Sequence, residues 1–136
     1  MLTNEFDEIG QDDDLFLLKL ATYDTLFKQQ LRIRSKIQMG IDAWKDPTTE
    51  NDNILLLGYA LGWGRLQTPF VYGVFKEGHG DGFQHYSILF PEKKLGIVIP
   101  TNSDNGESIF KELLEFAIGD TFTPWKWQRY FPKNDH

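Results

Sequence analysis

The sequence contains no cysteine, no excess of basic residues and no long apolar run, and each of these shortages excludes a class of protein. Without cysteine there is no disulfide framework, no thiolate metal site and no cysteine nucleophile. Lys and Arg number 14 against 20 Asp and Glu, a formal net charge of -6, which argues against binding to nucleic acid or to an anionic membrane. No apolar run reaches the length of a bilayer span. We therefore expect a soluble chain whose partners include neither nucleic acid nor membrane.

The 136 residues fit one domain behind a short acidic lead-in. The lead-in, residues 1–14, lacks the basic and then apolar order of a signal peptide, and the compartment stays undetermined. We place the domain at residues 15–136. Apolar residues recurring at steps of three and four predict a first helix from Leu15 to Gln30, and a polar loop follows at residues 44–53.

Glycine and aromatic residues mark four strand-like segments after residue 57. They are "GYALGWGRLQ" (58–67), "FVYGVFKEG" (70–78), "FQHYSILF" (83–90) and "LGIVIPT" (95–101). The charged turn "PEKK" predicts a hairpin between the last two. An apolar stripe at residues 109–118 then predicts a helix that ends at Gly119.

These segments predict an α+β domain, with an antiparallel sheet of about three to four strands flanked by helices. The first helix is expected on one face of the sheet, with the helix at residues 109–118 packed beside it. The tail is rich in aromatic residues, which we expect to lie against the body of the domain: Trp125, Trp127, Tyr130 and Phe131.

Two short motifs lie in "TNSDNGESIFK", residues 101–111: Ser-Asp-Asn at 103–105 and Ser-x-x-Lys at 108–111. Both are active-site motifs of penicillin-recognising serine enzymes, in which the Ser-x-x-Lys serine is the nucleophile and a Lys-Thr-Gly strand completes the cleft. Ser-x-x-Lys by itself is a loose pattern that arises by chance in chains of this size. The motifs raise the hypothesis of a serine hydrolase site at this place.

A helix start explains the same residues without catalysis. Residues 103–105 are short and polar, as helix caps are, and Asp104 with Glu107 approximates a capping box. Ser108 and Lys111 fall opposite the apolar stripe, so water should surround them. A lysine serves as a base only when its pKa is lowered, whereas acidic residues four positions away from Lys111 keep it charged. We interpret both motifs as the start of a helix.

A longer resemblance lies upstream, in "FKEGHGDGFQHYSILFPEKKLGIVIPTN", residues 75–102. It combines a Lys-x-Gly at the end of a strand, a Gly-rich turn, an aromatic strand, the turn "PEKKLGIV" and a "TN" before the last helix. This stretch resembles the Lys-Thr-Gly region of class C β-lactamases and of the related penicillin-binding-protein-like serine hydrolases and esterases. "YALGWG", residues 59–64, looks like the strand before Lys-Thr-Gly, and "IRSK", residues 33–36, is similar to the segment that leads into it in the esterase-like branch.

In that family Ser-x-x-Lys comes first in the chain, Tyr-x-Asn or Ser-Asp-Asn second, and Lys-Thr-Gly last. The motifs at residues 103–111 follow the Lys-x-Gly and therefore stand in the wrong order to be the family's own. The resemblance, from about Leu31 to Pro132, implies the C-terminal part of a β-lactamase or transpeptidase-like fold with no complete catalytic set. It implies a chain inactive alone, with an N-terminal catalytic half as its partner.

The resemblance assigns roles to four consecutive residues. Lys76 matches the Lys-Thr-Gly lysine, which helps to hold substrate and lowers the pKa of the base by like-charge proximity. Gly78 matches the glycine that lets substrate approach the strand, and the backbone N–H of His79 occupies an oxyanion-hole position. Glu77 departs from the family because it replaces threonine. Its carboxylate would repel a substrate carboxylate and could neutralise Lys76, which favours a neutral ester or amide over a β-lactam.

A metal site is the alternative interpretation of His79, Asp81 and His85, since imidazole and carboxylate are competent ligands. The two histidines straddle a glycine turn, and no fourth ligand stands near them in the sequence. We predict neither a metal nor another cofactor.

Three functional classes remain open from the sequence. The first is the substrate-binding and oxyanion-hole part of a serine hydrolase, and the second is a non-catalytic binding or interaction domain that keeps the fold. The third is a self-sufficient enzyme that uses Ser108 and Lys111. Because the family's sheet continues into N-terminal strands, we also expect an exposed sheet edge and self-association, most simply as a two-fold dimer.

Overall fold

The computed structural model describes residues 19–33 and 56–130, and its centre is one antiparallel sheet of six strands. The strands follow chain order across the sheet: β1 (Leu31–Arg32), β2 (Gly58–Tyr59), β3 (Gly64–Gln67), β4 (Tyr72–Gly80), β5 (Phe83–Phe90) and β6 (Leu95–Thr101). The helices are α1 (Leu20–Phe27), α2 (Glu107–Ile118) and the one-turn α3 (Trp125–Gln128). The α+β class and the antiparallel sheet agree with the sequence prediction. None of the described helices is long and apolar enough to cross a membrane.

The prediction of about three to four strands is wrong, because two short strands join the sheet at its start. Segment 58–67 is a hairpin of β2 and β3 rather than one strand. Gly62 reverses the chain with a φ of 78°, and the N–H of Ala60 donates to the carbonyl of Trp63 at 2.8 Å. β1 then pairs antiparallel with β2. Two-residue strands are too short to show an alternating pattern, so the sequence did not reveal them.

α1 is shorter than the predicted helix from Leu15 to Gln30. It ends at Phe27, and the N–H of Gln30 already donates to Tyr59 of the sheet at 2.8 Å. α1 rests on the turn between β2 and β3, where the rings of Phe27 and Trp63 meet edge to face at 5.9 Å. The predicted helix start at residues 15–18, the acidic lead-in, the loop at residues 44–53 and Phe131 lie outside the described residues.

β4 and β5 form the long hairpin on which the rest of the sheet is built. Their turn consists of Asp81 and Gly82, whose φ of 79° suits glycine, and the pairing runs from Gly80 with Phe83 to Val74 with Leu89. Since side chains alternate along a strand, Glu77 joins the inward face and Lys76 the opposite one.

Tyr86 of β5 is the centre of the core on the inward face. It is fully buried and surrounded by aromatic rings from three parts of the chain. Its ring lies 6.4 Å from Phe75, 5.8 Å from Phe110, 5.4 Å from Trp125 and 6.1 Å from Tyr130. Trp127 and Tyr130 are themselves buried, so these tail residues pack against the body as predicted. Such ring pairs each contribute about 0.5–1.5 kcal/mol beyond their buried area.

α2 buries less of its apolar stripe than the sequence suggests. It begins at Glu107 and, as predicted, ends before Gly119, but only Phe110 and Leu114 are fully buried. Ile109 and Leu113 are exposed, and Phe116 is 92% exposed. A helix lying on one sheet turns one row of side chains toward it, so the neighbouring row faces outward.

Leu114→Ala should destabilise the fold by about 2–5 kcal/mol, because it opens a cavity in the fully buried core. Leu113→Ala, the matched change one residue earlier on the exposed row, should cost less than about 1 kcal/mol. Urea unfolding of the two variants measures both values. Equal losses would contradict the burial of Leu114 rather than Leu113.

Candidate functional site

β4 is paired on both sides along its first half and on one side along its second half. β3 ends its pairing with β4 at Gly64 opposite Phe75, whereas β5 pairs with β4 as far as Gly80. Within the described residues, the β3 side of residues 76–80 therefore has no neighbouring strand. This second half of β4 carries the Lys-x-Gly and the residue after it, and we call it the β4 edge.

The backbone of His79 points toward the open side of the β4 edge. The N–H of Thr68 donates to the carbonyl of Val71 at 3.0 Å, which makes these residues a hydrogen-bonded pair at the turn between β3 and β4. Hydrogen-bonded pairs alternate along an antiparallel ladder, so odd-numbered residues of β4 direct their N–H and C=O groups toward the β3 side. Gly78 and Gly80 bond instead to β5. The N–H of His79 is thus directed into the open edge.

The side chains of the β4 edge divide between the two faces of the sheet. Glu77 and His79 lie on the face that α2 covers, and exposed Lys76 lies on the opposite face. Consecutive residues on a strand point in opposite directions, so Glu77 is not placed to neutralise Lys76. The expected charge compensation between them is not supported by this geometry.

Gly78 has a packing role in the sheet. A Cβ at this position would collide with the imidazole ring of His85, which lies directly across the ladder. The ring of His85 also stacks on Phe83 at 6.2 Å. Because His85 lies on the face opposite to His79, the two imidazoles are separated by the sheet and cannot share a metal ion.

A cleft of about 430 Å³ opens beside the β4 edge on the α2 face. It is bounded by the end of β4, the first residue of α2 and the segment that ends α3, and we call it the β4 cleft. Its walls combine charged, amide and phenol groups: Glu77, Gly78, His79, Glu107, Gln128, Arg129 and Tyr130. Gln128 is buried and its Oε1 has no hydrogen-bond partner within the described part of the chain.

Two carboxylates share the β4 cleft with one imidazole. Burial raises the pKa of Glu107, and the nearby charge of Glu77 adds to this increase, while His79 opposes it. His79 Nδ1 lies 3.7 Å from Glu107 Oε1, a distance at which protonated imidazole pairs with the carboxylate. Burial also raises the pKa of Tyr130, as do the charges of Glu77 and Glu107, so the phenol stays protonated. The cleft therefore combines two carboxylates and the guanidinium of Arg129 with neutral hydrogen-bonding groups.

The start of α2 is held by Gln84 of β5, so the predicted capping box is wrong. Gln84 Oε1 accepts the N–H of Glu107 at 2.7 Å, and its Nε2 donates to the carbonyl of Asp104 at 2.8 Å. The N-cap residue is Gly106, which makes no side-chain cap. Asp104 Oδ1 instead accepts the N–H of Gly82 at 2.7 Å. These bonds fix Glu107 relative to the β4–β5 hairpin and so shape the cleft.

The groups of the Ser-x-x-Lys match bond to neighbours along the chain rather than to each other. The hydroxyl of Ser108 donates to the carbonyl of Asn105 at 2.7 Å, one turn before it. Lys111 Nζ lies 2.8 Å from a carboxylate oxygen of Glu115, and this hydrogen bond raises the pKa of Lys111. A lysine base needs a lowered pKa, so Lys111 is not placed to activate Ser108.

Sequence reasoning missed the part of the cleft that comes from the end of the chain. The sequence indicates half of a capping box for Glu107 and part of an aromatic tail for Gln128 and Arg129. No local pattern relates residues 77–79 to residues 107 and 128–130, because their meeting depends on the packing of Tyr86 against α2 and α3. The aromatic density of the tail was the one signal that these residues lie on the body.

No protein-family profile, curated protein or solved structure matches this chain. The functional assignment therefore depends on the residues and their geometry.

Glu107→Gln tests the burial of the carboxylate through pH. Because the pKa of Glu107 is raised, its carboxyl group binds a proton more tightly in the folded state than in the unfolded chain. The free energy of unfolding therefore falls as pH rises from the ordinary pKa of 4.5 through the raised pKa. The amide cannot ionise, so the stability of Glu107→Gln relative to the natural protein should rise across this window. Urea unfolding between about pH 4 and pH 7 measures it.

Glu112→Gln, at an exposed position on the same helix, controls for the loss of one negative charge. An advantage of Glu107→Gln that shrinks as pH rises would contradict a partly buried carboxylate at residue 107.

Proposed function

We propose that this chain supplies the substrate-binding strand and an oxyanion-hole donor of a serine hydrolase of the β-lactamase and penicillin-binding-protein type. The observation that carries this proposal is the open edge of β4, into which the N–H of His79 points. A backbone N–H aimed at open space beside a strand is suited to stabilise the oxyanion of an acyl-transfer transition state. The order and spacing of the Lys-x-Gly region support the same assignment.

Lys76 supports this proposal by its direction. It projects from the face opposite to α2, and it is exposed there. A serine nucleophile close to both the Lys76 side chain and the N–H of His79 would lie at the rim where the face opposite to α2 meets the β4 edge. We therefore place the catalytic half of the hydrolase, with its Ser-x-x-Lys, over this rim.

The charge beside the β4 edge restricts the substrate that we propose. Glu77 and Glu107 border the β4 cleft, where Glu107 is partly desolvated. A substrate carboxylate entering this cleft would meet two carboxylates and one guanidinium, that of Arg129, so acidic groups outnumber the basic one and the balance disfavours a further negative charge. We propose a neutral ester or amide rather than a β-lactam as substrate.

A non-catalytic binding domain is the second candidate, and the packing of Gly78 favours it. The contact between His85 and a Cβ at Gly78 accounts for this glycine without a substrate. In that case the β4 cleft would bind a partner, and loss of the His79 N–H would leave binding unchanged.

The chain alone should not hydrolyse a chromogenic cephalosporin or a p-nitrophenyl ester above background. Lys111 is not placed to act as a base for Ser108. Ser108→Ala should therefore leave the background rate unchanged and alter the free energy of unfolding by no more than about 0.5 kcal/mol. Labelling with a fluorophosphonate checks the same point, because it reacts with activated serines. Esterase turnover or labelling that disappears in Ser108→Ala would show that the chain is an enzyme in its own right.

Fusion to a polypeptide that supplies the Ser-x-x-Lys half should produce acylation, because nucleophile, base and oxyanion donor then share one site. In this assembly His79→Pro removes the N–H that points into the open edge and should lower the rate by about 100-fold or more. Lys76→Ala should lower it by at least about tenfold, or about 1.4 kcal/mol.

His79→Ala is the matched control, because it removes the imidazole and keeps the backbone donor. Proline is tolerated where the N–H of a strand residue faces outward, and circular dichroism verifies the fold. Equal rates for His79→Pro and His79→Ala would remove the oxyanion assignment and favour the binding domain.

A further inference from the structure

β6 forms the far edge of the sheet, and in the part of the chain that the structure describes it pairs with β5 alone. Hydrogen-bonded and non-hydrogen-bonded pairs alternate along β5 as they do along β4. The odd-numbered residues of β6 are therefore the ones whose N–H and C=O groups bond to β5. Gly96, Val98 and Pro100 therefore direct their backbone groups outward. Pro100 has no N–H, which leaves two outward donors, on Gly96 and Val98, and three outward carbonyls.

An apolar row of α2 lies on the flank of the helix away from β4. Glu107, on the other flank, reaches His79 of β4. Ile109 and Phe116 lie about 200° and 180° around the helix from Glu107, and Phe116, which is 92% exposed, points mainly away from the sheet. Val98 pairs with Ser87 and lies on the opposite face of the sheet, where it is 68% exposed. The β6 side of the molecule thus has exposed apolar groups on both faces of the sheet.

We propose that a second copy of this chain binds here, with the two β6 strands antiparallel about a two-fold axis at Val98. In this register each Val98 N–H donates to the other Val98 carbonyl, and each Gly96 N–H donates to the other Pro100 carbonyl. Both outward donors of each copy are used, and Pro100 serves solely as an acceptor. The edge is thus complementary to itself in this register, which is the requirement of a two-fold interface.

The charges at the two ends of β6 fit the same arrangement. Exposed Glu92, Lys93 and Lys94 precede the strand with a net charge of +1, two lysines less one glutamate, and exposed Asp104 follows it. In the proposed register Asp104 of one copy stands opposite Glu92 of the other, with the two lysines beside this pair, while the uncharged middle pairs with itself. The apolar rows of the two α2 helices would lie on the same face, one on each side of the axis. This inference is independent of the proposed serine hydrolase function.

Sedimentation equilibrium of the full chain at tens of micromolar should give twice the chain mass of 15.8 kDa. Val98→Lys places two positive charges opposite each other at the axis and should weaken the dimer by about tenfold or more. Val98→Glu should do the same. An equimolar mixture of the two variants should restore the dimer, because opposite charges then meet across the strands.

Val98→Thr is the control, since threonine is also β-branched and uncharged and should leave the dimer intact. Val98 is exposed, so the variants should keep their melting temperature at concentrations where they are monomers. A monomeric natural chain, a dimer that Val98→Lys leaves unchanged, or a mixture that stays monomeric would each overturn the proposal.

Cross-linking gives an independent test, because the chain has no cysteine of its own. Residues of a hydrogen-bonded antiparallel pair have Cα atoms about 5.5 Å apart, within the range of a disulfide. Oxidised Val98→Cys should run as a covalent dimer on a non-reducing gel. Ser87→Cys, which lies on an inner strand, should stay monomeric, and equal cross-linking of both would count against pairing at β6.

Discussion

The two-residue turn at Asp81 and Gly82 fixes the register of β4 against β5, and the rest of the structure depends on this register. It places Phe75 beside Tyr86 in the core and directs the N–H of His79 into the open edge. A slip of one residue would exchange the two faces and bring Lys76 under α2. The cost of burying that charge, together with the loss of the aromatic contacts, holds the strands in place.

The β4 edge and the β6 edge, both without a neighbouring strand among residues 19–33 and 56–130, differ in chemistry. The β4 edge is bordered by Lys76, Glu77 and His79, so it suits a polar substrate and charge development. The β6 edge has an uncharged strand with exposed apolar groups on both faces of the sheet, so it suits another protein surface. The turn at residues 81–82 determines both, since the same alternation of hydrogen bonds runs from β3 to β6.

The sequence predicts the long elements well and the meeting of distant ones poorly. β4, β5, β6 and α2 are long enough to show alternation or helical periodicity, and Gly119 marks the end of α2. β1 and β2 have two residues each and carry no such pattern. The Gln84 cap and the placement of Glu107 in the β4 cleft depend on contacts more than 20 residues apart in the chain. The Ser-x-x-Lys letters at 108–111 match a motif, but their hydrogen bonds are local.

Amide hydrogen exchange at His79 tests the open β4 edge most directly. Each residue of β4 has one N–H, and its direction decides whether β5 protects it. We expect strong protection at Gly78 and Gly80, which bond to β5, and exchange at least about tenfold faster at His79 between them. Protection of His79 equal to that of its two neighbours would show that another strand covers this edge, and would contradict the assignment of an accessible oxyanion donor.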